Sequence, residues 1–388
     1  MVGHWPNKYV IGLTGNIGVG KSIVRQMLQH LGAYTIDADS LAHQAMLPGA
    51  PAYKPIVQAF GQFILGQDKK INRTLLGQIV FGNPEALKKL EDIVHPVVRQ
   101  AVDILIKRAK QRVVVIEAIK LLEGNLAEAV DAVWVVDASP KTQYRRLVTK
   151  RKMTEAEARM RIQAQNPQAE KLKRADVIID NDGDIEHSWK QIQQQWQQIK
   201  KHLSASAAAG AQPVADDSVR ARSQNVTVRR GMPNNAQAIA DFIRQQAGRD
   251  VTRMDVMVTF GQKSYLTAQA DDSESLVGLM GWTVENLVTR MDEFYVAADA
   301  RIADVTHAMV TAVEESSKEL QSEVGFIFLS PDTQPATIRA FQADGYQPIT
   351  LEEIKVPTWR EEVEGAVSGQ PMTILWKQLR KDRVLQPI

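Results

Sequence analysis

The sequence contains no cysteine in 388 residues. That excludes disulfide bridges and thiolate metal sites, and it fits a reducing compartment. Long apolar runs are missing too: the richest, such as "AVWVV", are far too short to cross a bilayer. The opening stretch "MVGHWPNKYVIG" holds no extended apolar segment ahead of the first strand, so no signal peptide is expected. Nor is there an excess of one charge. Lys and Arg number 47 against 45 Asp and Glu, a formal net charge of +2, with the cations dispersed along the chain. Nucleic-acid readers concentrate their cations in a stripe, so neither nucleic acid nor membrane is expected as a partner. The expectation is a cytoplasmic protein that works on small molecules.

What is present suits two globular domains: 44% hydrophobic and 24% charged residues are ordinary values, and the length exceeds what one core needs. The stretch "LSASAAAGAQPVADDSVRARSQN" (203–225) is rich in Ala and Ser and has no apolar periodicity. It predicts a linker over 204–225 between domains at 1–203 and 226–388.

In the first domain the strand candidates "YVIGLTG", "YTID", "RVVVIE", "AVWVVD" and "DVIID" are nearly continuous apolar runs, as when both faces of a strand are covered. Helical segments alternate with them. "NPEALKKLEDIV" has Asn83 as cap and Pro84 in the first turn, and Thr154 and Glu157 stand at capping-box spacing. Trp189, Ile192, Trp196 and Ile199 mark one helix face. The fold class is α/β, a parallel sheet with helices on both faces. The second domain reads as α+β with a mixed sheet. It has strands at "VTVRRG", "SLVGLMGWTV", "MDEFYV", "VGFIFLS" and "PMTILWKQL", with helices carrying Ile239, Phe242 and Ile243, and Ile302, Val305, Met309 and Val313.

Gly15, Gly20, Lys21 and Ser22 satisfy G-x-x-x-x-G-K-[ST], directly after a strand and at the start of a helix. In such a loop (Gly15, Asn16, Ile17, Gly18, Val19 and Gly20) backbone N–H groups surround the β-phosphate of ATP. Lys21 bridges the β- and γ-phosphates, and the Ser22 hydroxyl helps hold Mg²⁺. Downstream, Asp37 and Asp39 close the strand "YTID". Two apart on an extended segment, they point to one side, at the carboxyl edge where ligands of open α/β sheets collect. A carboxylate there accepts the proton of an attacking hydroxyl. Asp39 or Ser40 capping the helix "LAHQAM" is the competing reading.

These motifs and their order resemble the dephospho-coenzyme A kinase family. The resemblance runs over about residues 8–200, through "GLTGNIGVGKS", "IDADSLAHQAMLPGAPAYKPIVQAFG", "INRTLLGQIVFGNPEALKKLEDIVHPVVR", "TQYRRLVTKRKMTEAEARMRIQAQ" and "ADVIIDNDG". It implies ATP-dependent phosphorylation of the 3′-hydroxyl of dephospho-CoA. By the same resemblance Asp39 is the general base, and Arg146, with Lys150 or Arg151, reaches over the transferring phosphoryl group from a lid. Asp37, His95 and Arg99 belong to the acceptor side, and Asn181 lies beside the adenine. For His95 a packed structural histidine is the alternative reading, and for Asn181 a turn residue. Glu117, at the end of its strand, assists Mg²⁺ through water. Two departures stand out: Ile23 replaces the threonine many relatives carry after the P-loop serine, and Lys120 falls where leucine is common. The loss of that hydroxyl predicts altered nucleotide contact. The alternative reading is a different small-molecule or nucleotide kinase.

"VTVRRGMPNNAQAIADFIRQ", "LVGLMGWTV" and "QPATIRAFQADGYQPI" resemble the GCN5-related N-acetyltransferases over about residues 226–380. That family places R-x-x-G-x-G after the strand ending at Val296, where its backbone amides hold the acyl-CoA pyrophosphate. Here the segment is "RIADVT": Arg301 fits, but Asp304 and Thr306 replace the glycines. Two readings follow, a degenerate module for binding or assembly and a bifunctional kinase and acetyltransferase.

Overall fold

The computed structural model of the chain describes residues 4–124, 126–207, 219–223, 226–272, 275–367 and 371–384. The first sheet has five strands: β1 (Tyr9–Thr14), β2 (Tyr34–Asp37), β3 (Val113–Glu117), β4 (Ala132–Asp137) and β5 (Val177–Asp180). All pairings are parallel, in the order β2-β3-β1-β4-β5. The helices are α1 (Lys21–His30), α2 (Ala38–Ala45), α3 (Tyr53–Phe60), α4 (Arg73–Phe81), α5 (Pro84–Arg108), α6 (Pro140–Thr149), α7 (Glu155–Gln163), α8 (Gln168–Lys173) and α9 (Ile185–Ala207).

The strand period of two sorts the apolar residues into two cores. Val10, Val114, Ile116, Val133 and Val135 face α2 and α5 with Leu41, Val98 and Val102. Ile11, Leu13, Val115, Trp134 and Val136 face α1 and α9, where Trp189, Ile192, Trp196 and Ile199 form the buried stripe. Helices therefore cover both faces. The caps are where the spacing places them: Asn83 accepts from the amides of Glu85 and Ala86, and Thr154 and Glu157 make a reciprocal capping box.

The second sheet has eight strands in the order β12-β13-β11-β10-β9-β8-β7-β6. They are β6 (Val219–Ser223), β7 (Val226–Arg230), β8 (Ser264–Ala270), β9 (Leu276–Glu285), β10 (Val288–Val296), β11 (Val324–Leu329), β12 (Gln347–Pro348) and β13 (Thr373–Gln378). Among the described residues of this sheet only β10 and β11 pair in parallel, over Val288–Met291 against Val324–Ile327, so the sheet is mixed. The helices are α10 (Ala236–Ala247), α11 (Arg253–Thr259), α12 (Ile302–Glu319), α13 (Pro335–Ala343) and α14 (Pro357–Val367). Val305, Met309 and Val313 of α12 are buried against the sheet.

The linker expectation needs correction at both ends. Residues 204–207 continue α9, and Val219–Ser223 form an edge strand that pairs antiparallel with β7. Positions 208–218 and 224–225 lie outside the described residues. Alanine and serine there carry no apolar period, which hid both the helix end and a strand whose pairing partner supplies its order.

The two domains are packed together. Leu320 touches both cores, the Gln321 side chain donates to the Leu105 carbonyl at 2.9 Å, and Arg253 pairs with Glu186. His30 of α1 is buried between Trp189 and Phe260, with its Nε2 2.7 Å from the Gly231 carbonyl oxygen.

Candidate active site

Strand β1 stops at Thr14, and the chain turns through 15–20 before α1 opens at Lys21. Gly15 has a φ of 145°, and a Cβ there would stand 2.5 Å from the Val136 carbonyl oxygen. Gly20 caps α1 in the left-handed region at φ 97°, where a side chain would collide with Asn181. Because this cap supplies no side-chain acceptor, the positive end of α1 stays free to receive an anion.

Neighbouring side chains grip the loop from both sides. The Arg146 guanidinium donates to the carbonyls of Gly18 (3.3 Å) and Val19 (2.9 Å) and to that of Asn181 (2.7 Å). The Asn181 amide nitrogen donates to Val19 O at 2.6 Å, while its oxygen accepts from Ser188. On the amide side, Gln168 accepts from Asn16 N–H at 3.0 Å and Gln165 from Ile17 N–H at 2.7 Å. Side-chain carbonyl oxygens thus hold two of the loop amides.

Lys21 is buried, and loss of hydration lowers its pKa while Glu117 and Asp39 oppose the shift. Asp39 lies in the first turn of α2 and is open to solvent, yet protein crowds its carboxylate. Incomplete hydration pushes its pKa up to about 6 against the opposing effect of the Ile119 amide, which donates to Oδ2 at 3.0 Å. The same residue holds Lys171, whose ammonium donates to the Ile119 carbonyl at 2.6 Å. Lys171 is buried, its pKa is lowered by that burial, and its charge is felt at both Lys21 and Asp39.

At the end of β3, buried Glu117 accepts from Ser22 Oγ at 3.3 Å and forms an ion pair with Arg25 at 2.7 Å. The donor set for a cation is sparse: one hydroxyl and one carboxylate. Among the described residues no group of three or more His, Asp or Glu side chains is placed to hold a metal ion. Such a set fits Mg²⁺, which keeps several waters and takes one or two protein oxygens beside nucleotide phosphates.

Two sequence expectations change in detail. The chain leaves the extended conformation at Asp37, so the two aspartates do not share a strand face. Asp37 is the N-cap of α2, accepting from Ser40 N–H at 2.9 Å, and its capping strength starts the helix before Asp39. Arg146 points at two P-loop carbonyls and at that of Asn181, which together offer its guanidinium three acceptors. Arg151, beyond the end of α6, is exposed. His95 and Arg99 are exposed one helical turn apart on α5. Ile23 is half-buried and faces the second domain at Gly261.

Gln165, Gln168, Lys171 and Arg25 were not anticipated. "IQAQNPQAEK" carried a signal, since polar residues with few charges after a short helix suit a segment folded onto backbone amides. In the second domain Arg301 caps α12 through its backbone and pairs with Asp304 at 3.6 Å, while Thr306 bonds back to Ile302 O.

A family model described as dephospho-CoA kinase matches residues 9–187. The dephospho-CoA kinase of Geobacillus kaustophilus is 46% identical over 197 residues, 49% of this chain and 98% of that protein. That of Geobacter sulfurreducens is 42% identical over 190 residues, 48% of this chain and 96% of that protein. Among solved structures, an acetyltransferase of the GNAT family from Staphylococcus aureus matches at 12% identity with a TM-score of 0.31, covering 40% of this chain and 99% of that one.

Proposed function

The chain belongs to the dephospho-CoA kinase family, and on that premise we propose which of its residues phosphorylate the 3′-hydroxyl of dephospho-CoA at the expense of ATP. The observation that carries the proposal is the Asp39 carboxylate. It is open to solvent, held by the Ile119 amide, and has its pKa pushed up to about 6, close to where a general base is most effective.

The loop amides and Lys21 bind the β- and γ-phosphates, with Arg146 and Asn181 keeping the loop carbonyls turned away from them. Ser22 and, through water, Glu117 would hold Mg²⁺ together with the nucleotide. That ion, when bound, neutralises charge on the phosphoryl oxygens. Asp39 takes the proton of the ribose hydroxyl as its oxygen attacks the γ-phosphorus. The bond from that phosphorus to the β–γ bridging oxygen breaks, and ADP leaves. Lys21, Lys171 and the exposed Arg151 supply positive charge around the transferring group, which is what phosphoryl transfer mainly requires. Arg99 and His95, exposed on α5, are the arms for the acceptor, and Asp37 orients Asp39 by capping their common helix. A cytoplasmic location belongs to the same proposal, since ATP is supplied there.

On this reading the first domain ends with α9 and the second begins with β6. The C-terminal domain is not assigned acyl transfer, because Asp304 places a carboxylate in the first turn of α12, where the acyl-CoA pyrophosphate would need amides alone.

The test is ADP release by the full chain on dephospho-CoA, compared with adenosine, AMP and shikimate, with Asp39→Asn as control. Turnover confined to dephospho-CoA, with about a 10²-fold or larger loss in the variant, supports the reading. Equal turnover of the other acceptors, or full activity of the variant, overturns it.

A further inference from the structure

The turn between β9 and β10 leaves the C-terminal sheet and enters the kinase domain. Asn286 and Leu287 at its tip have φ of 52° and 64°, the paired left-handed geometry of a tight hairpin. Leu287 packs against the core formed by α2 and α5. On one side of the tip, Glu285 accepts from Arg25 Nη2 at 3.2 Å. Arg25 is the residue whose Nε holds Glu117, and Glu117 in turn accepts from the P-loop Ser22. On the other side, Ser40 Oγ donates to Asn286 Oδ1 at 2.5 Å. Ser40 follows Asp39 directly on α2.

The two arms close into one network. Asn286 Nδ2 donates to Glu362, Glu362 pairs with Arg290 at 3.5 Å, and Arg290 pairs with Glu285 at 3.7 Å. A continuous chain of polar contacts therefore runs from Ser40 through the C-terminal domain and back to Ser22. We propose that the β9–β10 turn is a positioning element of the kinase site, with Glu285 setting the Arg25–Glu117–Ser22 row and Asn286 setting α2 and its Asp39. Neither residue touches substrate. The proposal rests on the reading of Ser22, Glu117 and Asp39 given above.

Arg25 is buried and shared by two carboxylates. If the Glu285 charge is removed, the guanidinium turns its free edge onto Glu117, since a planar fork prefers a bidentate carboxylate. Glu117 then loses the oxygen it offers Ser22, and the ATP and Mg²⁺ side of the site is disturbed. If the Asn286 side chain is removed, the Ser40 hydroxyl loses its partner and α2 keeps at its N-terminus only the Asp37 cap and the bond from the Ile119 amide to Asp39 itself. The base, not the nucleotide, is then misplaced.

The two arms therefore predict different kinetics in the full-length protein. Glu285→Gln raises the half-saturating concentrations of Mg²⁺ and ATP about tenfold with kcat little changed, the pattern of lost ground-state binding. Asn286→Gly, which keeps the left-handed turn, lowers kcat about tenfold with the KM for ATP unchanged. Ser40→Ala combined with Asn286→Gly is no worse than the poorer single variant, because both break one contact. Hydrogen exchange supplies a readout independent of turnover. Amides of residues 38–45 lose about tenfold protection in Asn286→Gly, without bound nucleotide. Wild-type protection and wild-type kinetics in both variants overturn the proposal, as does strict additivity of the Ser40 and Asn286 changes. If the wild-type chain turns over no dephospho-CoA while the variants lose protection, the clamp stands and the kinase reading falls. Should Asn286→Gly fail to fold, Glu285→Gln, an exchange of one heavy atom, decides alone.

Discussion

Ile23 and Gly261 fit against each other across the two domains: a Cβ built on Gly261 would stand 2.8 Å from the Ile23 Cγ2 methyl. Ile23 directly follows the P-loop serine, so the first turn of α1 presses a methyl against the turn between α11 and β8 and makes an interdomain contact.

Ile23→Ser, which supplies a hydroxyl and removes the Cγ2 methyl, is expected to lower the KM for ATP while costing about 1–3 kcal/mol of stability for lost apolar contact. Gly261→Ala in the wild-type background is expected to cost about 1–3 kcal/mol by overpacking. In the Ile23→Ser background the cost of Gly261→Ala should shrink, since loss of the Cγ2 methyl leaves room for the new Cβ. Chemical denaturation of the four proteins in a double-mutant cycle, with ATP titrations alongside, checks all three statements. Additive penalties would show that the two residues do not press on each other.

The pH dependence of the kinase follows from Asp39. A base must be unprotonated to accept the hydroxyl proton, so activity is present above its pKa and is lost as pH falls through it. With that pKa pushed up to about 6, kcat/KM for dephospho-CoA should fall about tenfold from its plateau by pH 5. An ordinary carboxylate would still be active there. Initial rates between pH 4.5 and 8 locate the limb, and Asp39→Asn should flatten it as well as lower it.

The parts of the fold that were legible in the sequence are those written locally. Glycines at 15 and 20 announce a loop that L side chains resist, and Asn83 and Thr154 announce helix starts within a few residues. The stripe from Trp189 to Ile199 needed only one helical repeat. Arg25 was illegible because its partners, Glu117 and Glu285, lie 92 and 260 positions away. Gln168 reaches across 152 positions to Asn16, and Lys171 becomes a site residue only because the Ile119 backbone stands between it and Asp39. Strand β6 was hidden for a related reason: its order comes from pairing with β7, not from its own composition.

Gln165 is expected to behave as a competitor of the nucleotide. Its carbonyl oxygen accepts from Ile17 N–H at 2.7 Å, a position on the amide side of the P-loop. Gln165→Glu keeps an acceptor in place, makes the bond charge-assisted and adds repulsion toward phosphate, so the KM for ATP should rise about tenfold. Gln165→Ala frees the amide and should leave that KM unchanged or lower it. Initial-rate kinetics separate the two. An equal rise in both variants would mean that the glutamine helps to hold ATP.

Acid is expected to loosen the contact between the domains, through His30. Its Nε2 lies against the Gly231 carbonyl oxygen, which can only accept, so this nitrogen carries the proton and Nδ1 receives the Ser264 hydroxyl at 3.4 Å. Burial, reinforced by nearby Arg230, pushes the imidazole down to about 3 from an ordinary 6.5. Between those values the unfolded chain binds a proton that the folded chain excludes. The stability tied to this group is therefore complete above about pH 6.5 and is lost as pH falls from there toward 3. Each pH unit in that window costs about 1.4 kcal/mol, or about 2 kcal/mol at pH 5. Urea unfolding at pH 5 and pH 7.5 measures the loss. In His30→Asn, whose side-chain amide keeps a donor for Gly231, the pH-dependent part should shrink by that amount, although the variant is less stable at pH 7.5. An undiminished loss in His30→Asn would assign the acid sensitivity to other groups.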